Sequence, residues 1–409
     1  MNKKLFFSIV LFIILFGCIN STKSGGAQSE QADTFVLPED AVPIIYRGHI
    51  YIPSEVDTVL GNFVFDTGAD GLYFDSTFYA SNPFKKHKYI NAMLPGAGTS
   101  GPQKVIVITD SVGFKFKNYS NNLSFIPVLS LKSILGDFAD GILGTKYFPN
   151  QVLEINYFRE YIKWHDDFST IDTSEFVKIS MKKERNRLFV PVRIQINDIV
   201  SIQDYFCLDI GAGGSISITS RTANKYDLFN NISTKIQYDT KYGGVSGQSS
   251  AFYFKASSIE LGGYTMEEVV MDYSEDKSGA LASSEHAGLL GNEILERFDI
   301  IIDFTNNDLY LKPNTDYNKP FVFSRLGFKY IDRNITMNAW IVTGFYKGSN
   351  AELSELKIDD KIISVNGVDI HEIPYKEQAD FWKEIEKAVI VVLRNGEEKR
   401  IEFDLEYVL

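Results

Sequence analysis

The chain has little cysteine, histidine or tryptophan, and it lacks any long second hydrophobic run beyond its first residues. Two cysteines in 409 residues exclude a disulfide scaffold and a cysteine-rich metal site. Five scattered histidines form no His-Glu-x-x-His helix and no zinc triad. Ser100, Ser246 and Ser249 stand without a His-Asp context for serine catalysis. Basic residues are the minority charge: 41 Lys and Arg against 53 Asp and Glu give a formal charge of -12. That balance disfavours nucleic acid, whose binding rests on neutralising phosphate. What is abundant is Phe (31) and Tyr (22), in a chain that is 44% hydrophobic and 23% charged. This is globular composition, and the length exceeds one ordinary core, so two or three domains are expected.

The first eighteen residues read as an address. Lys3 and Lys4 precede a run, Leu5 to Phe16, that is apolar apart from Ser8 and shorter than a spanning helix needs. An uncleaved anchor is one reading of it. The other rests on Leu15-Phe16-Gly17-Cys18, which resembles the lipobox of bacterial lipoproteins. The resemblance implies removal of residues 1–17 and lipid on the Cys18 thiol, which would hold the protein at a membrane. Residues 19–32 are polar and aperiodic, as a flexible tether would be. Cys207 is then the only other thiol.

From Pro38 onward the sequence is strand-like, and it repeats. Phe65-Asp66-Thr67-Gly68-Ala69 matches Leu208-Asp209-Ile210-Gly211-Ala212, 143 residues on. Gly141-Ile142-Leu143-Gly144 matches Gly288-Leu289-Leu290-Gly291, 147 residues on. A glycine-rich stretch lies between the landmarks in each half, Pro95–Gly101 and Tyr242–Gly247. One Asp-Thr-Gly arises easily by chance; three landmarks duplicated in order do not. In the first half helical pattern is sparse, with candidates at Ser76–Ala80 and near Ser130–Asp137.

This ordered set resembles the aspartic peptidases of pepsin and retroviral-protease type, over roughly residues 36–316. The resemblance implies two pseudo-symmetric β lobes, 35–168 and 169–316, that bring Asp66 and Asp209 together as the catalytic pair. Thr67, Gly68, Ile210 and Gly211 would support the two loops. Gly96, Gly98, Tyr242, Gly243 and Gly244 would belong to hairpin flaps. No cofactor and no metal is implied. The residue types suit the chemistry. Two carboxyls a few ångströms apart share one proton, so that one serves as base toward water and the other as acid toward the peptide. Two departures stand out. Ile210 replaces the Thr or Ser whose hydroxyl normally bonds across the interface below the pair. The first glycine stretch has no flap tyrosine, whereas Tyr242 adjoins the second. Asp70 is a residue that either bonds locally or lines the site. Asp299, Asp303 and His286 are expected in turn, interface or packing roles.

Polar residues Asn314–Lys319 form a linker, and a different pattern follows over 320–409. Leu326-Gly327-Phe328, Gly348-Ser349-Asn350-Ala351 and Lys357-Ile358-Asp359-Asp360-Lys361-Ile362-Ile363-Ser364-Val365-Asn366-Gly367 resemble a PDZ domain. Asp359 stands where that family usually has glycine. A helix is expected within Lys376–Lys387, with Ala379, Trp382 and Ile385 on its inner face, and a hairpin turn at Asn395-Gly396. The resemblance implies β-augmentation, with a peptide laid beside the strand after Phe328 and its end held at Leu326–Phe328.

The whole therefore reads as mainly β: two acid-protease-like lobes and a PDZ-like α+β domain, behind a lipoprotein signal (1–17) and a tether (18–34). The expected function is that of a monomeric, lipid-anchored aspartic endopeptidase of the bacterial cell envelope, on its periplasmic or surface face. It would act on peptides or proteins, with the PDZ-like domain binding peptide or regulating access. The alternative is a non-catalytic peptide-binding lipoprotein on a degenerate form of the same fold.

Overall fold

Val, Ile, Phe and Tyr at alternating positions drive much of this chain into strands, because β-branched and aromatic side chains pack well on a half-buried pleated surface. The computed structural model describes residues 35–81, 83–94, 103–148, 151–243 and 247–409, and Pro38–Leu409 is one compact unit. Cys18, Gly96, Gly98 and Gly244 lie outside the described residues. The protein is mainly β, with helices of six residues or fewer among the described residues. Two of these, Ser76–Ser81 and Lys132–Leu135, fall in the two segments expected to turn. No described helix is long and apolar enough to cross a membrane.

Strand Val59–Asp66 pairs antiparallel with Ile50–Val56 and parallel with Gly141–Gly144, which sets Gly144 opposite Asp66. Gly141–Gly144 lies antiparallel to Leu72–Asp75, and Ile126–Leu129 runs parallel to that strand. The same pairing order occurs further along. Ser201–Leu208 pairs antiparallel with Arg187–Gln195 and parallel with Gly288–Leu290, which lies antiparallel to Ile216–Ile218; Tyr264–Ser274 then runs parallel to Ile216–Ile218. The reason for the first glycine of each Gly-x-Leu-Gly run is visible. A Cβ on Gly141 would stand 2.4 Å from the Phe63 ring, and one on Gly288 would stand 2.7 Å from the Phe206 ring. Both rings are fully buried, a burial that stabilises by about 2–3 kcal/mol each.

The two halves meet in a six-stranded sheet. Val152–Asn156 from the first half pairs antiparallel with Phe298–Asp303 from the second, with Ile155 opposite Ile300, and hairpins extend it on both sides. Here Asp299 accepts from the Asn156 amide at 3.0 Å, and Asp303 accepts the Thr305 and Asn306 N–H groups of its turn. One buried cluster joins Phe63, Phe65, Phe206, Leu208 and Ile300.

The carboxy-terminal segment has a second core, formed by Phe328, Trp340, Trp382, Ile390 and Phe403 among others. It is not detached. Its strand Ala339–Tyr346 pairs with Ile236–Thr240 of the second half, with Tyr238 opposite Tyr346 and Asp239 opposite Phe345, so one sheet runs through both. The Asn395-Gly396 turn has φ of 55° and 85°, as a tight hairpin requires. The expected helix is shorter than its pattern suggested, Gln378–Lys383, and its inner face is Gln378 and Trp382 rather than Ala379, which is exposed. Tyr330 Oη donates to Gln378 Oε1 and Asp332 accepts from Gln378 Nε2, so the amide turns inward with both its ends satisfied.

Candidate active site

The two aspartates end matching strands. In Val59–Asp66 the buried Phe63 and Phe65 anchor the strand, and the chain leaves the sheet at Thr67. The turn brings the Gly68 and Ala69 N–H groups to Asp66 Oδ1, at 2.7 and 3.1 Å. In the second half Asp209 N–H donates to Leu290 O at 3.0 Å, and Ala212 N–H donates to Asp209 O at 3.1 Å.

The glycines show how close the two loops lie. A Cβ on Gly68 would stand 3.1 Å from the carboxyl carbon and both oxygens of Asp209. A Cβ on Gly211 would stand 2.3 Å from the Asp66 carboxyl carbon and 2.5 and 2.6 Å from its oxygens. Each carboxyl therefore lies over the other loop's glycine, and a hydrogen bond links the two. Burial raises the pKa of Asp66, against the stabilising N–H groups of Gly68 and Ala69. Burial first, and then the neighbouring Asp66 charge, hold Asp209 well above the usual carboxylate range. Two buried carboxyls this close favour binding a proton, and their titration belongs to the pair rather than to either residue.

The loops are tied together asymmetrically. Thr67 Oγ1 donates to Leu208 O at 2.5 Å and accepts the Ile210 N–H at 3.0 Å. Ile210 is fully buried and returns no such bond, having no hydroxyl. Behind each second glycine the backbone bonds recur: Thr145 N–H reaches Ala69 O, and Asn292 N–H reaches Ala212 O.

Just past the Asp209 loop is a cleft of about 610 Å³ lined by Gly213, Gly214, Ser217, Tyr242, Asp272 and Lys329. A larger cleft of about 1050 Å³ opens between the first half and the carboxy-terminal segment, lined by Arg47, Tyr51, Phe138, Tyr330, Tyr375 and Trp382. His49 borders both. It packs against Gly213, and burial lowers its pKa. Sequence reasoning missed His49, Asp272 and Lys329, because none belongs to a repeated landmark. Asp70 is exposed, and its carbonyl accepts the Lys146 N–H. His286 is packed on the Phe189 ring and bonded to Gly288 O. Cys207 is buried, and desolvation raises its thiol pKa, which keeps it unreactive.

Of the hairpin candidates, Tyr242 and Gly243 are described. The strands Ile236–Thr240 and Ser249–Leu261 pair as a hairpin around them. Gly243 N–H donates to Gly247 O at 2.7 Å, and a Cβ on Gly243 would lie 2.0 Å from Ser249 Cβ, so no other residue fits. Lys241 Nζ and Tyr242 Oη both donate to Asp359, each at 2.6 Å. Asp359 holds a φ of 71°, which explains why glycine would be the easier residue there. In the first half, strands Tyr89–Leu94 and Gln103–Ile108 pair around the stretch that contains Gly96 and Gly98.

In the carboxy-terminal segment Gly327 has a φ of 72°, and a Cβ on it would meet the Ser349 side chain at 2.8 Å. Its carbonyl accepts from Ser349 Oγ and from Tyr346 N–H, each at 2.9 Å, which fixes the loop Leu326–Phe328. Phe328 is buried against the edges of Trp382 and Phe403, and Leu326 is partly buried. The strand Phe328–Arg333 has one edge paired and the other turned toward helix Gln378–Lys383, which forms a groove. At its far end Asp137 N–H caps Asp332 O at 2.9 Å, and Asp137 pairs with the Arg333 guanidinium at 2.8 Å.

Comparison with known proteins identifies one part of the chain. The sequence model for the PDZ domain matches residues 324–394. No curated protein matches the chain. Residues 324–394 are therefore a PDZ domain, a class of domain that typically binds peptides.

Proposed function

We propose that the protein is an endopeptidase that uses Asp66 and Asp209 to activate water, on two acid-protease-like lobes joined to a PDZ domain. The observation that carries this is the pair itself: two carboxyls at the ends of matching strands, each over the opposite glycine and joined by a hydrogen bond. With one shared proton, the ionised carboxylate removes a proton from water as its oxygen attacks the peptide carbonyl carbon. The other carboxyl protonates the carbonyl oxygen. Collapse of the resulting diol returns a proton to the pair, protonates the leaving nitrogen and breaks the C–N bond. Backbone N–H groups of Gly68 and Ala69 favour charge on Asp66.

The PDZ domain fits a regulatory part in this reading. Lys241 and Tyr242 at the hairpin both reach its Asp359, and its strand extends the sheet that bears the hairpin. A peptide entering the groove would press on the same body that holds the hairpin. Anchoring to the envelope through lipid on Cys18 rests on the lipobox-like Leu15–Cys18 alone; Cys18→Ala should move the protein out of the membrane fraction.

The second reading is a non-catalytic peptide-binding protein. The absence of a hydroxyl at Ile210 favours it, since Thr67 bonds to the second loop but the first loop receives no cross-bond from position 210 in return. Turnover of a peptide library by the parent and by Asp66→Asn and Asp209→Asn decides between them. Cleavage lost in both variants supports hydrolysis at the pair; no cleavage by the folded parent supports peptide binding alone.

A further inference from the structure

The second loop lacks the hydroxyl that would reach back to the first half, yet a side chain of the second half does cross. Asn292 follows Gly291, directly behind the Asp209 loop, and it is fully buried. Its Nδ2 donates to Ile210 O at 2.7 Å and to Gly48 O at 2.8 Å. Its Oδ1 accepts from Tyr157 Oη at 2.8 Å. Its backbone N–H donates to Ala212 O at 2.8 Å. Both amide hydrogens and the amide oxygen are thus committed. Gly48 and Tyr157 belong to the first half; Ile210 and Ala212 flank Gly211, the glycine that lies under the Asp66 carboxyl.

We infer that Asn292 is the positioning residue that stands in for the hydroxyl missing at position 210, tying the second loop to the first half through Gly48 and Tyr157. The inference rests on the hydrolytic reading above. Thr67 sends one side chain from the first loop into the backbone of the second; Asn292 sends one from the second half to Gly48 and Tyr157 of the first while holding Ile210 O. The matching position in the first half is Thr145, whose shorter side chain needs no such reach because Thr67 already crosses there. Only an amide suits the site, since it must donate twice and accept once. Aspartate would aim a carboxylate at two carbonyl oxygens, and a buried unpaired charge is costly. The role is indirect, because Asn292 holds the Ile210–Ala212 backbone and that backbone sets where Asp209 stands against Asp66. A shift of about 1 Å in such a pair is enough to cost on the order of 100-fold in turnover.

The test compares the full chain with Asn292→Ala, Ile210→Thr, the double variant and Tyr157→Phe, by peptide turnover and by carbon-13 titration of the aspartate carboxyls. For Asn292→Ala we expect kcat down about 100-fold, KM within about threefold, and the upper apparent pKa of the pair lowered by at least about half a unit as the loop loosens and water enters. Ile210→Thr in the Asn292→Ala background should recover at least about tenfold of the loss, which a merely structural asparagine would not allow. Tyr157→Phe unloads only the amide oxygen and should show the same pattern at about three- to tenfold. A folded Asn292→Ala protein with parental kcat and an unmoved titration overturns the inference, as does a loss that Ile210→Thr leaves untouched. Should Asn292→Ala not fold, parental kcat and titration in Tyr157→Phe overturn it instead. If the parent cuts no peptide, the hydrolytic reading fails, and the titration arm still decides whether Asn292 positions the pair.

Discussion

The Asp66 loop and the Asp209 loop occupy equivalent places in the strand pairing, but they are built to different tolerances. The first is polar and self-sufficient: Thr67 supplies the cross-bonds, and Gly68 and Ala69 donate to the Asp66 carboxyl. The second is apolar at Ile210 and borrows its support from Thr67 and Asn292. A repeat can therefore keep the position of a carboxyl in both copies while moving the groups that hold it. The strands behind the loops differ as well: Ile218 opposite Tyr273 stands where the first half has Phe74 opposite Val128, and beside it Ser217 lies opposite Asp272.

The largest expected effect treats the two loops as equals. If one proton is shared, acid and base act on the same transition state, and neither carboxyl can be spared. Asp66→Asn and Asp209→Asn should each lower turnover by about 10³-fold or more, with a bell-shaped pH profile in the parent. Near-parental turnover in either folded variant would show that the loops are not partners in one reaction.

A second substitution pair separates them. Gly211→Ala puts a methyl 2.3 Å from the Asp66 carboxyl carbon, inside any real contact distance, whereas Gly68→Ala puts one 3.1 Å from Asp209. Gly211→Ala should cost on the order of 100-fold in kcat, and Gly68→Ala clearly less, because the Asp209 carboxyl needs to give only a few tenths of an ångström. Equal losses would mean that the pair is more adaptable than its packing suggests.

Much of this comparison was legible in the repeat. The paired Asp-x-Gly and Gly-x-Leu-Gly landmarks point to strands that end together, and the strands Val59–Asp66 and Ser201–Leu208 do so with parallel partners at the same places. The Asn395-Gly396 turn was legible because its φ preference is local. Asn292 and His49 were not, since their roles come from the fold bringing positions 48, 157, 210 and 292 together. The sheet running from Tyr238 to Tyr346 was hidden too, because strand pairing across more than a hundred residues leaves no mark on either segment. Ala379 misled because a six-residue helix offers too few turns for periodicity to choose between an alanine and a bonded glutamine.

Asp272 gives the cleft walls a contrast in pH. It is buried, bonded to Ser217 Oγ at 2.9 Å and faced by Lys329, and burial pushes it from 3.8 up to about 6. A carboxyl raised on folding contributes stability below its unfolded pKa and loses it as pH rises through the folded one. Asp272→Asn has no such titration and can still accept the Ser217 bond. Relative to this variant, the parent should therefore lose about 2 kcal/mol between pH 4 and pH 7. Urea denaturation at the two pH values measures it; parallel stability of parent and variant would place the Asp272 proton loss at its unfolded value.

The smallest expected effect on stability lies where the second hairpin meets the PDZ domain. Lys241 and Asp359 are each about half exposed, at 49% and 48%, so their ion pair is screened by water and contributes about 0–1 kcal/mol. Tyr242 Oη adds one exposed hydrogen bond to the same carboxylate. Against these stands the backbone: Asp359 at a φ of 71° is held where glycine rests without a Cβ penalty, a difference of about 1 kcal/mol. Asp359→Gly should therefore leave the melting transition nearly unmoved, because relief of the backbone offsets the lost pair. Its effect should appear in the hairpin. With Lys241 and Tyr242 released, amide exchange around 241–243 should quicken, while Ile236–Thr240, still paired to Ala339–Tyr346, keeps its protection. The first hairpin, at Tyr89–Leu94 and Gln103–Ile108, should exchange as before. Unchanged exchange at 241–243 would mean that sheet pairing alone holds this hairpin, and the PDZ domain would then grip the second half through its strand and not through Asp359.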